Sequence, residues 1–122
     1  MLVSQPAWAG WVELKRTPRG EDIYYLDPTT LRKTADGRRI WRSSTHDLPQ
    51  THKGRTYRSV RELTEFDCAG DRARMLQLDM FSRPMTEGSL AYRSPFSMPW
   101  EFFAPDTGFE DLLKVVCKMR LK

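Results

Sequence analysis

Short segments of alternating apolar and polar residues recur between residues 11 and 92. In the first, Val12 and Leu14 share one face while Glu13 and Lys15 occupy the other, which is the period-two pattern of a half-buried strand. The pattern, bounded by turn residues, predicts six strands, at residues 11–15, 22–26, 38–44, 56–66, 72–81 and 88–92. Because short connections join them, each strand is expected to pair with its neighbour in the sequence, which gives a meander-like antiparallel sheet.

Turn signals set the predicted ends of these strands. Residues 17–20 and the Asp36-Gly37 pair are typical of tight turns. The second strand is expected to stop at Asp27-Pro28. The polar stretch 45–54, which holds both histidines, is predicted to be a loop.

The last segment has helical periodicity. Thr107-Gly108-Phe109-Glu110 matches a capping box, in which the first and last residues each bond the other's backbone N–H. One apolar stripe follows, made of Phe109, Leu112, Leu113, Val116 and Cys117. The predicted fold class is therefore α+β: a six-stranded antiparallel β-sheet, meander-like, with one C-terminal α-helix packed on it.

Length and composition indicate a small globular protein. The 122 residues fit one domain, which can bury roughly two-thirds of its unfolded surface. With 4 Trp, 4 Tyr and 6 Phe the chain is too aromatic to be disordered. No apolar run approaches the ~20 residues of a membrane-spanning helix, which excludes an integral membrane protein. The 7 glycines form no phosphate-binding loop, so a nucleotide-binding enzyme is not expected.

Basic residues are concentrated in one part of the chain. The net charge is +4, but residues 32–61 hold nine basic side chains against two acidic ones, a local charge of +7. This stretch covers the predicted third and fourth strands and favours binding of a polyanion, such as nucleic acid, glycosaminoglycan or anionic lipid. The candidate polyanion- or ligand-binding residues are Arg38, Arg39, Trp41, Arg42, Arg55 and Arg58. The alternative is a solvated strand face that keeps the protein soluble.

The N-terminal residues indicate export. Ala7-Trp8-Ala9 is the small-residue pattern behind which signal peptidase cleaves, and Pro6 stands just before it. Only Leu2 and Val3 supply apolar residues ahead of this site, so residues 1–9 are expected to be the remnant of a signal peptide that is truncated in this chain. A single domain is expected at residues 10–122. The alternative is a chance match.

The two cysteines, Cys68 and Cys117, are 49 positions apart, which is not a metal-binding or redox spacing. An exported protein with an even number of cysteines usually pairs them, so a disulfide is predicted. The alternative is two buried thiols in a cytosolic domain.

Candidate catalytic groups are few and lie close together in the sequence. They are Ser43, Ser44, Thr45, His46, Asp47 and His52. Most fall in the predicted polar loop, which lacks the rigid turn that holds a nucleophile beside its base, so no enzyme is predicted. No metal, cofactor or small-molecule substrate is expected either. Glu62 and Glu65 are expected to form cross-strand ion pairs.

Residues 95–105 hold four aromatic residues and three prolines. One interpretation is a rigid loop in which Trp100, Phe102 and Phe103 cover one end of the core. The other is an exposed apolar surface that makes a dimer or binds a ligand. The candidate interface residues are Phe96, Trp100, Phe102 and Phe103.

The order of these motifs resembles the surface-adhesin protein E family. Its opening is matched by Tyr24-Tyr25-Leu26-Asp27-Pro28, Leu31 and Arg39-Ile40-Trp41. Its middle and end are matched by Tyr57-Arg58-Ser59, Glu65-Phe66-Asp67-Cys68, Arg72, Met80-Phe81-Ser82 and Cys117. The resemblance implies a six-stranded sheet with a C-terminal helix, a helix-to-sheet disulfide and export. In the founding member it also implies a homodimer that binds host matrix proteins. No lipoprotein cysteine stands near the start, so lipid anchoring is not implied.

These observations predict a non-enzymatic, exported bacterial envelope or surface protein. It would be periplasmic, outer-membrane-associated or secreted, and would act as an adhesin-like module that binds a matrix protein or a polyanion through its basic strands. The alternative is a cytosolic nucleic-acid-binding β-sheet domain, in which Trp41 or Tyr57 stacks on bases.

Overall fold

The computed structural model describes residues 10–103 and 108–121, which form one antiparallel sheet and one α-helix, with a single 3-10 turn at Pro84–Thr86. The elements are β1 (Val12–Arg16), β2 (Asp22–Lys33), β3 (Gly37–His52), β4 (Arg55–Asp67), β5 (Arg72–Phe81), β6 (Leu90–Ser94), β7 (Glu101–Phe102) and α1 (Gly108–Lys118). Strands β1 to β6 lie in sequence order, while β7 pairs with the start of β5. The predicted meander with a C-terminal helix is confirmed, with β7 as an addition. Residues 1–9 and the predicted capping residue Thr107 lie outside the described residues.

The core lies between α1 and one face of the sheet. Ile40 on β3, Phe66 on β4 and Val116 on α1 are completely buried there. Burial of each such side chain contributes about 1.5–3 kcal/mol. Cys117 is disulfide-bonded to Cys68, which follows β4, with the Cα atoms 5.8 Å apart. The predicted disulfide is therefore present and ties the helix to the sheet.

The prediction that the second strand stops at Asp27-Pro28 is wrong, because β2 continues to Lys33 through a bulge. The Thr30 hydroxyl accepts the Trp41 backbone N–H at 3.0 Å and donates to the Asp27 carbonyl at 2.7 Å. Pro28 has no N–H to donate, so this threonine supplies hydrogen bonds that the ladder loses at the bulge.

The prediction of a loop at residues 45–54 is also wrong, because β3 runs to His52 and turns at Lys53-Gly54. The register shifts between Thr45 and Gln50, where β3 carries more residues than β4 does. The Arg58 guanidinium donates to the carbonyls of residues 46 and 47, at 3.3 and 2.6 Å. These bonds satisfy acceptors that the shifted register leaves out of the ladder, so a polar segment is held as a strand.

The connection from β5 to β6 folds over the sheet face opposite to α1. The Ser59 hydroxyl donates to the Arg83 carbonyl at 2.6 Å and accepts the Thr86 N–H at 2.8 Å. The Thr45 hydroxyl accepts the Met85 N–H at 3.1 Å. Met85 and Thr86 have φ values of 60° and 59°, a region that residues other than glycine rarely adopt and that β-branched Thr86 in particular avoids, so these bonds hold a strained turn in place.

Candidate binding surface

Residues 95–103, the aromatic segment, lie along the first half of β5, beyond the part of that strand that pairs with β6. The Met98 N–H donates to the Met75 carbonyl at 2.8 Å, and the Phe103 N–H donates to the Asp71 carbonyl at 3.3 Å. Between these two points β7 pairs with the first residues of β5. The backbone of the segment is therefore anchored from Met98 to Phe103.

Trp100 is held between two arginines of β5. The guanidinium carbons of Arg72 and Arg74 lie 4.4 and 4.5 Å from its ring centroid, within cation–π distance. Both arginines are also paired across the strands, Arg72 with Asp67 at 2.7 Å and Arg74 with Glu65 at 2.8 Å. The hydrogen bond from Arg72 is the main reason that the pKa of Asp67 lies below its ordinary value. The side chain of Trp100 is therefore packed against β5 and contributes to the structure of the sheet.

The other aromatic residues of the segment divide into a packed and an exposed set. The ring of Phe103 lies 5.3 Å from that of Phe109 on α1, whose ring lies 5.8 Å from that of the core residue Phe66. By contrast, Phe96 is 76% exposed and Phe102 is 75% exposed. Each interpretation of the segment therefore describes some of its residues: Phe103 covers the core, while Phe96 and Phe102 present an apolar surface.

A groove with a volume of about 540 Å³ lies between the aromatic segment, α1 and the sheet. Its apolar lining comes from Ala73, Met75, Met98, Pro99, Phe102, Phe103 and Phe109. Its polar lining includes Arg42, Glu62 and Thr64. Arg42 donates to Glu62 at 2.7 Å through Nη2 and to the Thr64 hydroxyl at 2.8 Å through Nε, and its guanidinium lies 5.1 Å from the Phe109 ring centroid. We call this cavity the aromatic groove; its size is that of an ordinary ligand pocket.

The structure separates the basic residues that the sequence places together. Arg38 and Arg42 alternate with Arg39 along β3, so they lie on the α1 face while Arg39 lies on the opposite face. Arg38 donates to the Met119 carbonyl at 2.7 Å and so holds the end of the helix. Three of the six candidate side chains, those of Arg38, Arg42 and Arg58, are therefore occupied by contacts within the chain.

Two of the candidate arginines are available to a partner. Arg39 and Arg55 are exposed, and neither forms an ion pair with another described residue. Trp41 is half-buried beneath Arg61, whose guanidinium lies 5.0 Å from its ring centroid. Arg39 lies near the start of β3, whereas Arg55 pairs with His52 at the end of β3, so the two available candidates are far apart along the sheet.

Sequence reasoning missed the most buried charge of the sheet. The carboxylate of Asp79 is completely buried and accepts hydrogen bonds from Arg61 and Arg93, both at 2.8 Å. Burial raises the pKa of Asp79, but hydrogen bonds from Arg93, Arg61 and Gln77 more than offset this and hold the pKa below its ordinary value. An acidic residue between the apolar Leu78 and Met80 was the only sequence signal of this cluster.

The expected cross-strand ion pairs of the two glutamates are confirmed. Glu62 pairs with Arg42 of β3, and Glu65 pairs with Arg74 of β5. Among residues 10–103 and 108–121, no three His, Cys, Asp or Glu side chains come close enough together to hold a metal ion.

Comparison with known proteins identifies a family. The family model described as surface-adhesin protein E matches residues 11–118. No curated protein sequence matches the chain significantly.

Solved structures of one bacterial protein share the fold. The structure of Haemophilus influenzae protein E superposes with a TM-score of 0.65 at 17% identity, covering 96% of this chain and 92% of that chain. Its crystal form II gives a TM-score of 0.64 at 17% identity, with 89% and 87% coverage. Protein E from non-typeable Haemophilus influenzae gives 0.65 at 16% identity, with 89% and 76% coverage. At this identity the match establishes a common fold.

Proposed function

This chain belongs to the surface-adhesin protein E family, and on that basis we propose that it is an exported module that binds a macromolecular partner. The family indicates an adhesin-like, non-enzymatic role at a bacterial surface. We propose that a single domain at residues 10–122 carries this role; the family match over residues 11–118 supports this extent.

The disulfide supports export. Disulfides persist in oxidising compartments and are rare in the cytosol, and here the bond joins the two cysteines of the chain. Within the described residues, no helix combines the length and the apolarity needed to cross a membrane. We place the protein in the periplasm, at the outer membrane or outside the cell, after removal of a signal peptide.

A cytosolic nucleic-acid-binding role is not favoured. Such a role requires basic and aromatic side chains on one continuous surface. Here Arg38 and Arg42 are committed to contacts on the α1 face, while Arg39 and the half-buried Trp41 lie on the opposite face.

The observation that carries the proposal is an exposed apolar surface, which we call the rim: it consists of the groove residues Met98 and Phe102 and of Phe96, which precedes them in the segment. Phe96, Met98 and Phe102 are 76%, 46% and 75% exposed, and the backbone of the segment is fixed to β5 from Met98 onward. Rigid, exposed aromatic side chains lose little entropy on binding and are typical anchors of protein interfaces. We propose that this rim contacts a protein, either a host matrix protein or a second copy of the chain.

The two available arginines extend the same proposal to polyanions. Arg39 and Arg55 are exposed and carry no described partner, so they retain their charge for a sulfated or phosphorylated polymer. They are separated along the sheet, so this contact is expected to be weak and sensitive to salt.

The rim is tested by replacing both exposed phenylalanines. Phe96→Ser combined with Phe102→Ser should weaken binding to immobilised matrix proteins, or self-association measured by light scattering, by about tenfold or more. Leu48→Ser is the matched control, because Leu48 is 66% exposed but lies at the β3 bulge. Unchanged binding and self-association in the double variant, or equal losses in both variants, would contradict the proposal.

A further inference from the structure

Three polar side chains form a relay on the α1 face of the sheet, outside the core. Asp22 of β2 and His46 of β3 are direct cross-strand partners, and the carboxylate Oδ1 lies 2.8 Å from the imidazole Nδ1. Ser44 lies two residues before His46 on the same strand, and its Oγ is 3.3 Å from the imidazole Nε2. The carboxylate, imidazole and hydroxyl are therefore connected in the order of a Ser–His–Asp triad.

The carboxylate determines which imidazole nitrogen carries the proton. A carboxylate 2.8 Å from Nδ1 favours the N–H at that position, because it can only accept a hydrogen bond. The lone pair of Nε2 is then directed to the Ser44 hydroxyl, which donates to it. This arrangement can remove the hydroxyl proton as the oxygen attacks an electrophile.

The relay is partly shielded but open to small molecules. The side chain of His46 is 16% exposed and that of Asp22 is 35% exposed. The ring of Tyr57 lies edge-on to the imidazole, with centroids 6.0 Å apart, and limits rotation of the His46 ring. Ser44 follows Arg42 by two positions on the same face of β3, which places it roughly 7 Å along the strand from the polar lining of the aromatic groove.

We propose that Ser44 is a nucleophile that accepts the acyl group of small apolar esters, with His46 as the base and Asp22 as its positioning residue. Ser44 Oγ bonds to the ester carbonyl carbon, and its proton passes to His46 Nε2. The carbon–oxygen bond to the alcohol breaks, and the alcohol leaves with that proton. Water then attacks the acyl-serine, releases a carboxylic acid and restores the Ser44 hydroxyl. The aromatic groove receives the apolar acyl chain.

The position of Ser44 limits the rate of this reaction. It lies on an interior strand, paired with Tyr24 of β2 on one side and Val60 of β4 on the other. Its neighbouring backbone N–H groups belong to the sheet ladder and are not turned toward a developing oxyanion, which is usually a large part of catalysis. Esters with good leaving groups should therefore react, slowly, and unactivated esters should not. This activity adds to the proposed binding function and does not depend on it.

Labelling with a fluorophosphonate probe tests the nucleophile. The folded protein should gain one phosphonate, and tryptic mapping should locate it in peptide 43–53, with fragmentation assigning it to Ser44. Ser44→Ala should abolish labelling, and His46→Gln should slow it by about tenfold or more, because a well-placed general base contributes up to about 10²–10⁴-fold. Ser43→Ala is the matched control, because Ser43 is the adjacent serine on the opposite face and is only 8% exposed. Modification elsewhere, or equal rates in the parent and His46→Gln, would overturn the proposal.

Asp22→Asn tests the positioning role. The asparagine amide can donate to Nδ1 and so move the imidazole proton to Nε2, which removes the base. Nitrogen chemical shifts of His46 should report this change of tautomer, and labelling should slow while the thermal midpoint stays close to that of the parent. The rates of p-nitrophenyl butyrate hydrolysis should rank the variants in the same order as the labelling rates. The parent should hydrolyse this ester faster than p-nitrophenyl acetate. An unchanged tautomer with slowed labelling would refute the role of Asp22. Because Ser44→Ala leaves the groove rim intact, it should retain partner binding, so failure of one proposal is distinguishable from failure of the other.

Discussion

Replacement of Asp79 by asparagine should destabilise the sheet by an amount that the structure allows us to work out. The carboxylate is completely buried and holds the guanidinium groups of Arg61 and Arg93, both at 2.8 Å. Asparagine has nearly the same shape as aspartate but carries no charge. Its amide group also places an N–H donor next to the guanidinium groups, which are themselves donors. Breaking a fully buried pair costs about 3–5 kcal/mol. Since the arginine side chains are 36% and 47% exposed, water compensates part of this, and we expect a loss of about 2–3 kcal/mol.

Urea unfolding of the parent and Asp79→Asn measures this loss. Asp36→Asn is the control, because Asp36 is exposed in a turn and has no described partner. The pKa of Asp79 is lowered in the folded state, so its contribution to stability is complete above the unfolded pKa of about 3.9. It is lost as the pH falls through the lower, folded-state pKa. The difference in the free energy of unfolding between the parent and Asp79→Asn should therefore have its full size at neutral pH and become smaller in strong acid. A difference under about 0.5 kcal/mol at neutral pH, or one of equal size in acid, would refute the reasoning.

Two further predictions concern the disulfide and the basic strands. Reduction of the Cys68–Cys117 bond, or replacement of both cysteines by alanine, should lower the free energy of unfolding by about 4 kcal/mol, because it frees a loop closed over 49 positions. Urea curves with and without reductant measure this, and coincident curves would contradict it. Arg39→Ser with Arg55→Ser should elute from heparin at lower salt and with a shallower salt dependence, because fewer counterions are released. Arg19 is another exposed arginine, so Arg19→Ser is the control and should elute at the same salt concentration as the parent. If the parent and both variants elute together, the basic strands do not bind polyanions.

The strands were predictable where one face is buried and the other is exposed to solvent. Along residues 38–44 alternation is clear because Ile40 faces the core, and the predicted strand is present. The continuation of β3 through residue 52 was not predictable, because it is polar on both faces and is held by a guanidinium from another strand. The β2 bulge was missed for a similar reason: the hydroxyl of Thr30 compensates for Pro28.

The functional residues were harder to predict than the strands, because a sequence cluster is not a surface cluster. Arg38 and Arg39 are neighbours in the sequence, but the period of a strand places them on opposite faces of the sheet. The relay of Ser44 and His46 is not expected from the sequence, because His46 falls in the predicted loop at residues 45–54 and Asp22 comes from another strand. Such pairings depend on the register between two strands, which is only weakly specified where a strand is polar on both faces.

The disulfide also determines how the protein would respond to a pulling force. The covalent ring that it closes contains β5, β6, β7 and α1 up to Cys117. Tension applied between Gly10 and Leu121 would pass directly from Cys117 to Cys68, so only β1 to β4 could be drawn out. The ring withholds the chain between two cysteines that are 49 positions apart, or roughly 170 Å of extended chain, from the unfolding length. The aromatic segment lies inside this ring, so the binding surface proposed above would stay folded under such tension.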